Sequence, residues 1–192
     1  AFDGTDAVMQ SAETAAGDFP DLAVEAMARI CMEAEKYPRE RSKHRLHEDF
    51  TQIDETIAMS AMYAANHLDG VRAIGTLTES GSTPLWMSRI SSGMPIFALT
   101  SHEKTCRRVT LFRGVYPIFF NEKGIHDHAV LNRAIAEEFI RRGLADPEDR
   151  IILTKGDLSG TSGGTNAMKI ASINEVLAAA PEDWKDHCPG CE

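Results

Sequence analysis

The residues most able to do chemistry lie in two stretches rich in hydroxyls and glycines. The first is Thr78-Glu79-Ser80-Gly81-Ser82-Thr83, between an apolar run and the start of an amphipathic one. Small side chains let backbone N–H groups approach an anion, hydroxyls add donors, and the positive end of a following helix favours negative charge. That is the composition of a phosphate cradle. The same composition also serves simply to turn and cap a strand-to-helix connection. Glu79 weighs on that side, since a carboxylate beside a phosphate must point away or be neutralised. The second stretch, Gly156-Asp157-Leu158-Ser159-Gly160-Thr161-Ser162-Gly163-Gly164-Thr165-Asn166, is too long for a tight hairpin. Long ordered loops inside compact domains are usually functional. Ser11-Ala12-Glu13-Thr14 follows a short apolar run, where barrel and doubly wound folds place catalytic side chains, although Ser and Thr there can equally cap a helix. Cys188-Pro189-Gly190-Cys191 with His187 supplies at most three ligands where structural zinc takes four, and it opens no helix as a redox motif would. The seven histidines are scattered, so no metal site is expected.

The elements that must hold these residues follow from periodicity and punctuation. Asp6 to Met9 reads as a short strand. Pro20 suits a helix first turn with Asp18 as its cap, and Ala23, Met27, Ile30 and Ala34 recur at helical spacing to about Lys36. Tyr37 to His47 is polar and highly charged, a linker or surface excursion. Ile53, Ile57, Ala61, Ala64 and Leu68 mark one helix face. Strands are expected at Val71 to Thr78, Pro95 to Thr100, Val115 to Phe120, Ile151 to Thr154 and Met168 to Ile173. Helices are expected from the Thr83 region to Ile90, from His102 to Leu111 and from Asp127 to Gly143. Strands alternating with helices imply a mostly parallel sheet covered on both faces, with the last strand added antiparallel because no helix precedes it. In such a sheet the loops at the carboxyl ends of strands share one crevice, which makes the Thr78 and Thr154 loops a natural pair for a small phosphorylated ligand.

Composition narrows the alternatives. The 192 residues are 43% hydrophobic and 26% charged, enough for a packed core and unlike disordered, collagenous or coiled-coil chains. With 29 acidic against 20 basic residues the net charge is −9. Such a chain has no global attraction for nucleic acid or anionic lipid, so a phosphate must be held by a local site. No apolar run approaches the roughly 18 residues of a membrane span, and no signal peptide opens the chain. Neither nucleic acid nor membrane is expected as a partner. Four cysteines do not make a disulfide framework, and a reducing cytoplasm is the expected setting. The chain opens on Ala1 and runs from a turn into an apolar stretch, which suggests a piece of a longer protein.

Asp3-Gly4-Thr5-Asp6-Ala7-Val8-Met9-Gln10-Ser11-Ala12-Glu13-Thr14-Ala15-Ala16-Gly17-Asp18-Phe19-Pro20 resembles the last strand and loop of the pyruvate kinase (β/α)8 barrel. The order of elements from Phe50 to Ile173, with Thr78-Glu79-Ser80-Gly81, Arg113-Gly114-Val115-Tyr116-Pro117 and Thr165-Asn166, resembles that family's C-terminal regulatory domain. Glu79 and Ser91-Ser92-Gly93-Met94-Pro95-Ile96-Phe97-Ala98 resemble the bacterial branch that answers to AMP or sugar monophosphates. The resemblance implies a three-layer αβα domain at residues 45–173. A remnant βα unit of the barrel and a linker would precede it at 1–44, and an extension would follow at 174–192. It implies phosphoryl transfer from phosphoenolpyruvate to ADP in the whole enzyme, with Mg²⁺ and K⁺ held by residues on earlier barrel strands whose motifs are not in this sequence. Of the catalytic set only Ser11 maps. The chain alone is expected to bind neither metal and to be inactive. Thr78, Ser80, Gly81, Ser82 and Thr83 map onto the effector phosphate loop, and Ser162, Gly163, Gly164 and Thr165 onto the closing loop. Ser82 stands where the family usually has Arg, and Arg133 and Lys155 are candidate replacements for the lost charge. A homotetramer in the cytoplasm is implied for the whole protein. The alternative is a free-standing, non-catalytic module that binds phosphorylated metabolites.

Overall fold

In the computed structural model, residues 5–36, 49–90, 92–157, 163–184 and 188 are described. The expected linker at Tyr37 to His47 and the residue Ser162 lie outside them. The chain divides into two compact units, Ala1–Asp49 and Phe50–Glu192.

In the first unit α1 (Ala12–Ala16) and α2 (Pro20–Lys36) form a helical pair. Pro20 occupies the first turn as expected, but the adjoining N–H of Phe19 donates to Glu13 Oε1 at 2.9 Å, a role anticipated for Asp18. Gln10 Nε2 ties the preceding segment to the Ala23 carbonyl at 2.8 Å. Residues 5–10 form no strand, which corrects the expectation for Asp6 to Met9. A strand exists through its ladder of backbone hydrogen bonds, and among the described residues this unit holds no neighbour to pair with. Neither helix has a fully buried residue.

The second unit runs α3 (Ile53–His67), β1 (Val71–Leu77), α4 (Ser82–Ser88), β2 (Ile96–Thr100), α5 (Glu103–Val109), β3 (Val115–Phe119), α6 (His128–Arg141), β4 (Arg150–Gly156), β5 (Thr165–Ser172) and α7 (Ile173–Ala179). One five-stranded sheet has the order β3-β2-β1-β4-β5. All neighbours are parallel except β5, which joins β4 antiparallel. Side chains alternate between faces along each strand. Ala73, Phe97, Leu99, Ile118, Ile151 and Leu153 share a core with α6 and α7. Val71, Ile74, Ile96, Ala98, Val115 and Ile152 share one with α3, α4 and α5. The result is the expected three-layer αβα arrangement.

Two expectations shift. The buried stripe of α3 is Asp54, Ala58, Ala61, Met62 and Ala65, while Ile53 is 67% exposed. Three alanines let the helix approach the sheet closely, and that fit outweighs burial of the larger Ile53. The second shift is at the C-terminal end, where the last strand stops at Ser172 and Ile173 opens α7. Ser172 accepts from Glu175 N–H, and the Glu175 carboxylate accepts from Ser172 N–H, a reciprocal cap. Ile173, Val176, Trp184 and Cys188 join the core around Phe139, so the described part of the expected extension is packed domain. Cys188 is disulfide-bonded, whereas Cys31 and Cys106 are free thiols.

Candidate functional site: the crevice at the strand ends

The chain builds β1, β2 and β3 outward in one direction, then α6 carries it back to place β4 on the other side of β1. Connections therefore diverge at the carboxyl ends of β1 and β4, the place where open α/β sheets receive ligands. The two hydroxyl- and glycine-rich loops leave those two ends.

The first loop is a tight turn. Gly81 has φ +84°, and a Cβ there would lie 3.0 Å from Val109 Cγ1, so both conformation and space require glycine. Its N–H donates to Thr78 Oγ1 at 2.9 Å. In the first turn of α4 the N–H groups of Ser82 and Thr83 have no acceptor within the helix, and Pro84 contributes none.

The second loop reaches the first through a β-bulge. Lys155 faces Ala167 across the ladder, but Gly156 faces Thr165, leaving Asn166 as the extra residue. Strict alternation would have put Thr165 on the α6 side. The bulge turns it to the α3 side, where Thr83 Oγ1 and Thr165 Oγ1 meet at 2.7 Å. Asn166 Nδ2 donates to Asp157 Oδ2 at 2.9 Å. At Gly156 a Cβ would come 2.5 Å from the Gly164 carbonyl oxygen, so the two strands touch through backbone alone.

Hydroxyls and one carboxylate line the α3 side. Asp54, 3% exposed, accepts from Ser82 Oγ at 3.0 Å and from Glu55 N–H at 2.9 Å. Just below, Thr76 and Thr154 are register partners, and both hydroxyls are buried without a partner among the described residues. Asp54 carries no sequence signal as a site residue. Only its place in the buried register of α3 gives it away.

Helix α5 closes the outer side. Glu79 Oε2 pairs with His102 Nε2 at 2.5 Å, Thr105 Oγ1 donates to the Glu79 carbonyl at 2.6 Å, and Arg108 Nη1 reaches the Ser80 carbonyl at 3.4 Å. The carboxylate that weighed against a phosphate cradle is thus matched with an imidazole.

The remaining expected residues fall elsewhere. Lys155 shares the α6 face with Leu153, and its Nζ donates to Asn132 Oδ1 at 3.2 Å. Burial, then the nearby Lys169, pushes its ammonium below the usual lysine range, against the pull of Asp157, Asp127 and Glu122. Arg133 is committed to the C-terminal segment, donating to the Leu177 carbonyl at 2.7 Å with its guanidinium 4.9 Å above the Trp184 ring. Ser11 flanks α1 in the other unit, exposed and making no side-chain cap. Gly163 and Gly164 lie beside the crevice; an added Cβ on Gly163 would be 3.8 Å from Asp54 Oδ2. Among the described residues no three His, Cys, Asp or Glu side chains gather as a metal would require, and no helix is long and apolar enough to cross a membrane.

A three-layer open sheet with a hydroxyl-lined crevice at its point of diverging connections defines an α/β domain. Residues 55–171 match the family described as pyruvate kinase, alpha/beta domain, and the chain belongs to the pyruvate kinase family. It is 51% identical over 172 residues to pyruvate kinase II of Salmonella typhimurium, covering 89% of this chain and 35% of the relative. It is 49% identical over 174 residues to a pyruvate kinase of Buchnera aphidicola from Baizongia pistaciae, covering 89% and 36%. For the Haemophilus influenzae pyruvate kinase the identity is 48% over 160 residues, covering 83% and 33%. The chain spans about a third of the length of these curated relatives.

Proposed function

We propose that this chain is the regulatory part of a pyruvate kinase and that its crevice binds a phosphorylated small effector, AMP or a sugar monophosphate. The observation that carries this is the 2.7 Å contact between Thr83 and Thr165, which joins two loops 82 residues apart at one point. A hydroxyl has one proton to give. Thr78 accepts at Oγ1 and keeps its proton for a ligand, while Thr83 and Thr165, both buried, hold the two loops together. With the Ser82 and Thr83 amides that donor suits the oxygens of a phosphate monoester. Ser80, Gly81, Gly163 and Gly164 supply backbone at the same mouth.

Phosphoryl transfer from phosphoenolpyruvate to ADP belongs to the whole enzyme. Mg²⁺ and K⁺ would neutralise the transferring charge there, held by barrel residues whose motifs this sequence lacks. The whole enzyme would be a cytoplasmic homotetramer, with Ser11 beside the substrate in its barrel. The binding proposal is tested by titrating the 192-residue chain with AMP and ribose 5-phosphate while following thermal unfolding. Saturation at about 100 times Kd should add about 2.7 kcal/mol of stability. Thr83→Asp, which puts a carboxylate against Thr165 where the two loops meet, should abolish the gain. No shift with either ligand, or an equal shift in the variant, would overturn it.

A further inference from the structure

The crevice is short of positive charge. Asp54 adds a buried carboxylate, Lys155 faces the opposite side of the sheet, and Arg133 is spent on the C-terminal segment. A phosphate monoester brought there would meet hydroxyls, amides and a negative side chain. One element brings a cation to the loop that the sequence did not single out. Along α5 and its flanks, Thr105, Val109 and Phe112 pack around Gly81, and this face fixes the helix against the Thr78–Gly81 turn. His102, Thr105 and Arg108, spaced three apart, each contact that loop in turn: the Glu79 carboxylate, the Glu79 carbonyl and the Ser80 carbonyl. Arg108 is exposed, and its one hydrogen bond at 3.4 Å leaves most of its five donors uncommitted.

We propose that Arg108 is the cationic anchor for the phosphate group bound at the Thr78–Thr83 loop, supplying from α5 the positive charge that the crevice is short of. The inference rests on the effector-binding proposal above and assigns the residue that makes that site selective for a charged ligand. His102 serves the same end, holding the Glu79 carboxylate away from the anion. A guanidinium matches two phosphate oxygens at once, and an ammonium supplies the charge without the fork.

Isothermal titration of the full 192-residue chain with ribose 5-phosphate, at two salt concentrations, separates the alternatives. In Arg108→Gln a polar side chain remains but the charge is gone, and the shorter amide gives up the contact to the Ser80 carbonyl. Affinity should drop at least tenfold and depend less on salt, with thermal unfolding of the free protein unchanged. Arg108→Lys should keep a third or more of the lost affinity on a logarithmic scale, and Arg133→Gln should bind like the parent. Parent binding that Arg108→Gln leaves within twofold would overturn the anchor role while sparing the effector site. A parent chain that binds no ribose 5-phosphate would overturn both.

Discussion

At the scale of single residues, the crevice is a competition for protons. The Ser82 hydroxyl gives its proton to Asp54 at 3.0 Å and cannot give the same proton to a phosphate. Asp54 therefore opposes an anionic ligand twice, by charge and by holding a donor. Replacing it with Asn keeps an acceptor for Ser82 and removes the charge. Asp54→Asn should tighten ribose 5-phosphate binding about threefold to tenfold, a gain of about 1 kcal/mol, measured by calorimetry. Weaker binding in the variant would show that the carboxylate positions the loop and does not compete with the ligand. Lys155 offers a pH test. Burial lowers its ammonium's value in the folded state, so folding disfavours the charged form. Relative to Lys155→Met, the parent should carry a penalty at neutral pH. That penalty should shrink as pH rises through the lowered folded value toward the ordinary value near about 10.4. Denaturant midpoints for both proteins at neutral and alkaline pH check the sign.

At the scale of elements, the bulge at Asn166 and the cap of α7 carry the argument. Deleting Asn166 removes the bulge and leaves Thr165 opposite Gly156, still on the α3 face. The Thr83 contact and ribose 5-phosphate affinity should both survive, and far-ultraviolet circular dichroism should still report the folded sheet. Ser172→Ala removes the acceptor for Glu175 N–H and should cost about 1 kcal/mol in chemical denaturation. These elements also show what the sequence reveals. The alternation of short apolar strands with amphipathic helices was legible, as was the antiparallel last strand, because both follow from period and loop length. The cap of α7 was missed: Ser172-Ile173-Asn174-Glu175 has the capping-box spacing, but the apolar Ile173 reads as strand. The α3 register was misread because Ile53 looks like core and alanines do not. The facing of Thr165 depends on one unpaired residue in a ladder, and the reach of Arg108 on how α5 lies against a turn. Neither can be read from local spacing.

At the scale of the whole molecule, the placement of the two loops follows from topology. Both stretches stood out by composition, and their meeting was inferred from strand order; the sheet order β3-β2-β1-β4-β5 brings them to one mouth. The first unit is described apart from this sheet, and its α2 leaves Leu22, Val24, Ile30 and Met32 more than half exposed. The chain spans about a third of its relatives. Purified alone, it should show no phosphoenolpyruvate-dependent turnover in an assay coupled to lactate dehydrogenase. Measurable turnover would refute the proposal that catalysis belongs to residues outside this sequence.

The bare backbone contact at Gly156 and Gly164 has a consequence for how ligand preference can diverge in this family member. Any side chain added at Gly156 collides with a carbonyl, so that wall of the mouth is closed to variation. New chemistry must enter from the opposite wall, where Ser82, Glu79 and the exposed rim of α5 can be exchanged one at a time. A library randomised on that wall should yield altered selectivities, and one randomised at Gly156 should return glycine.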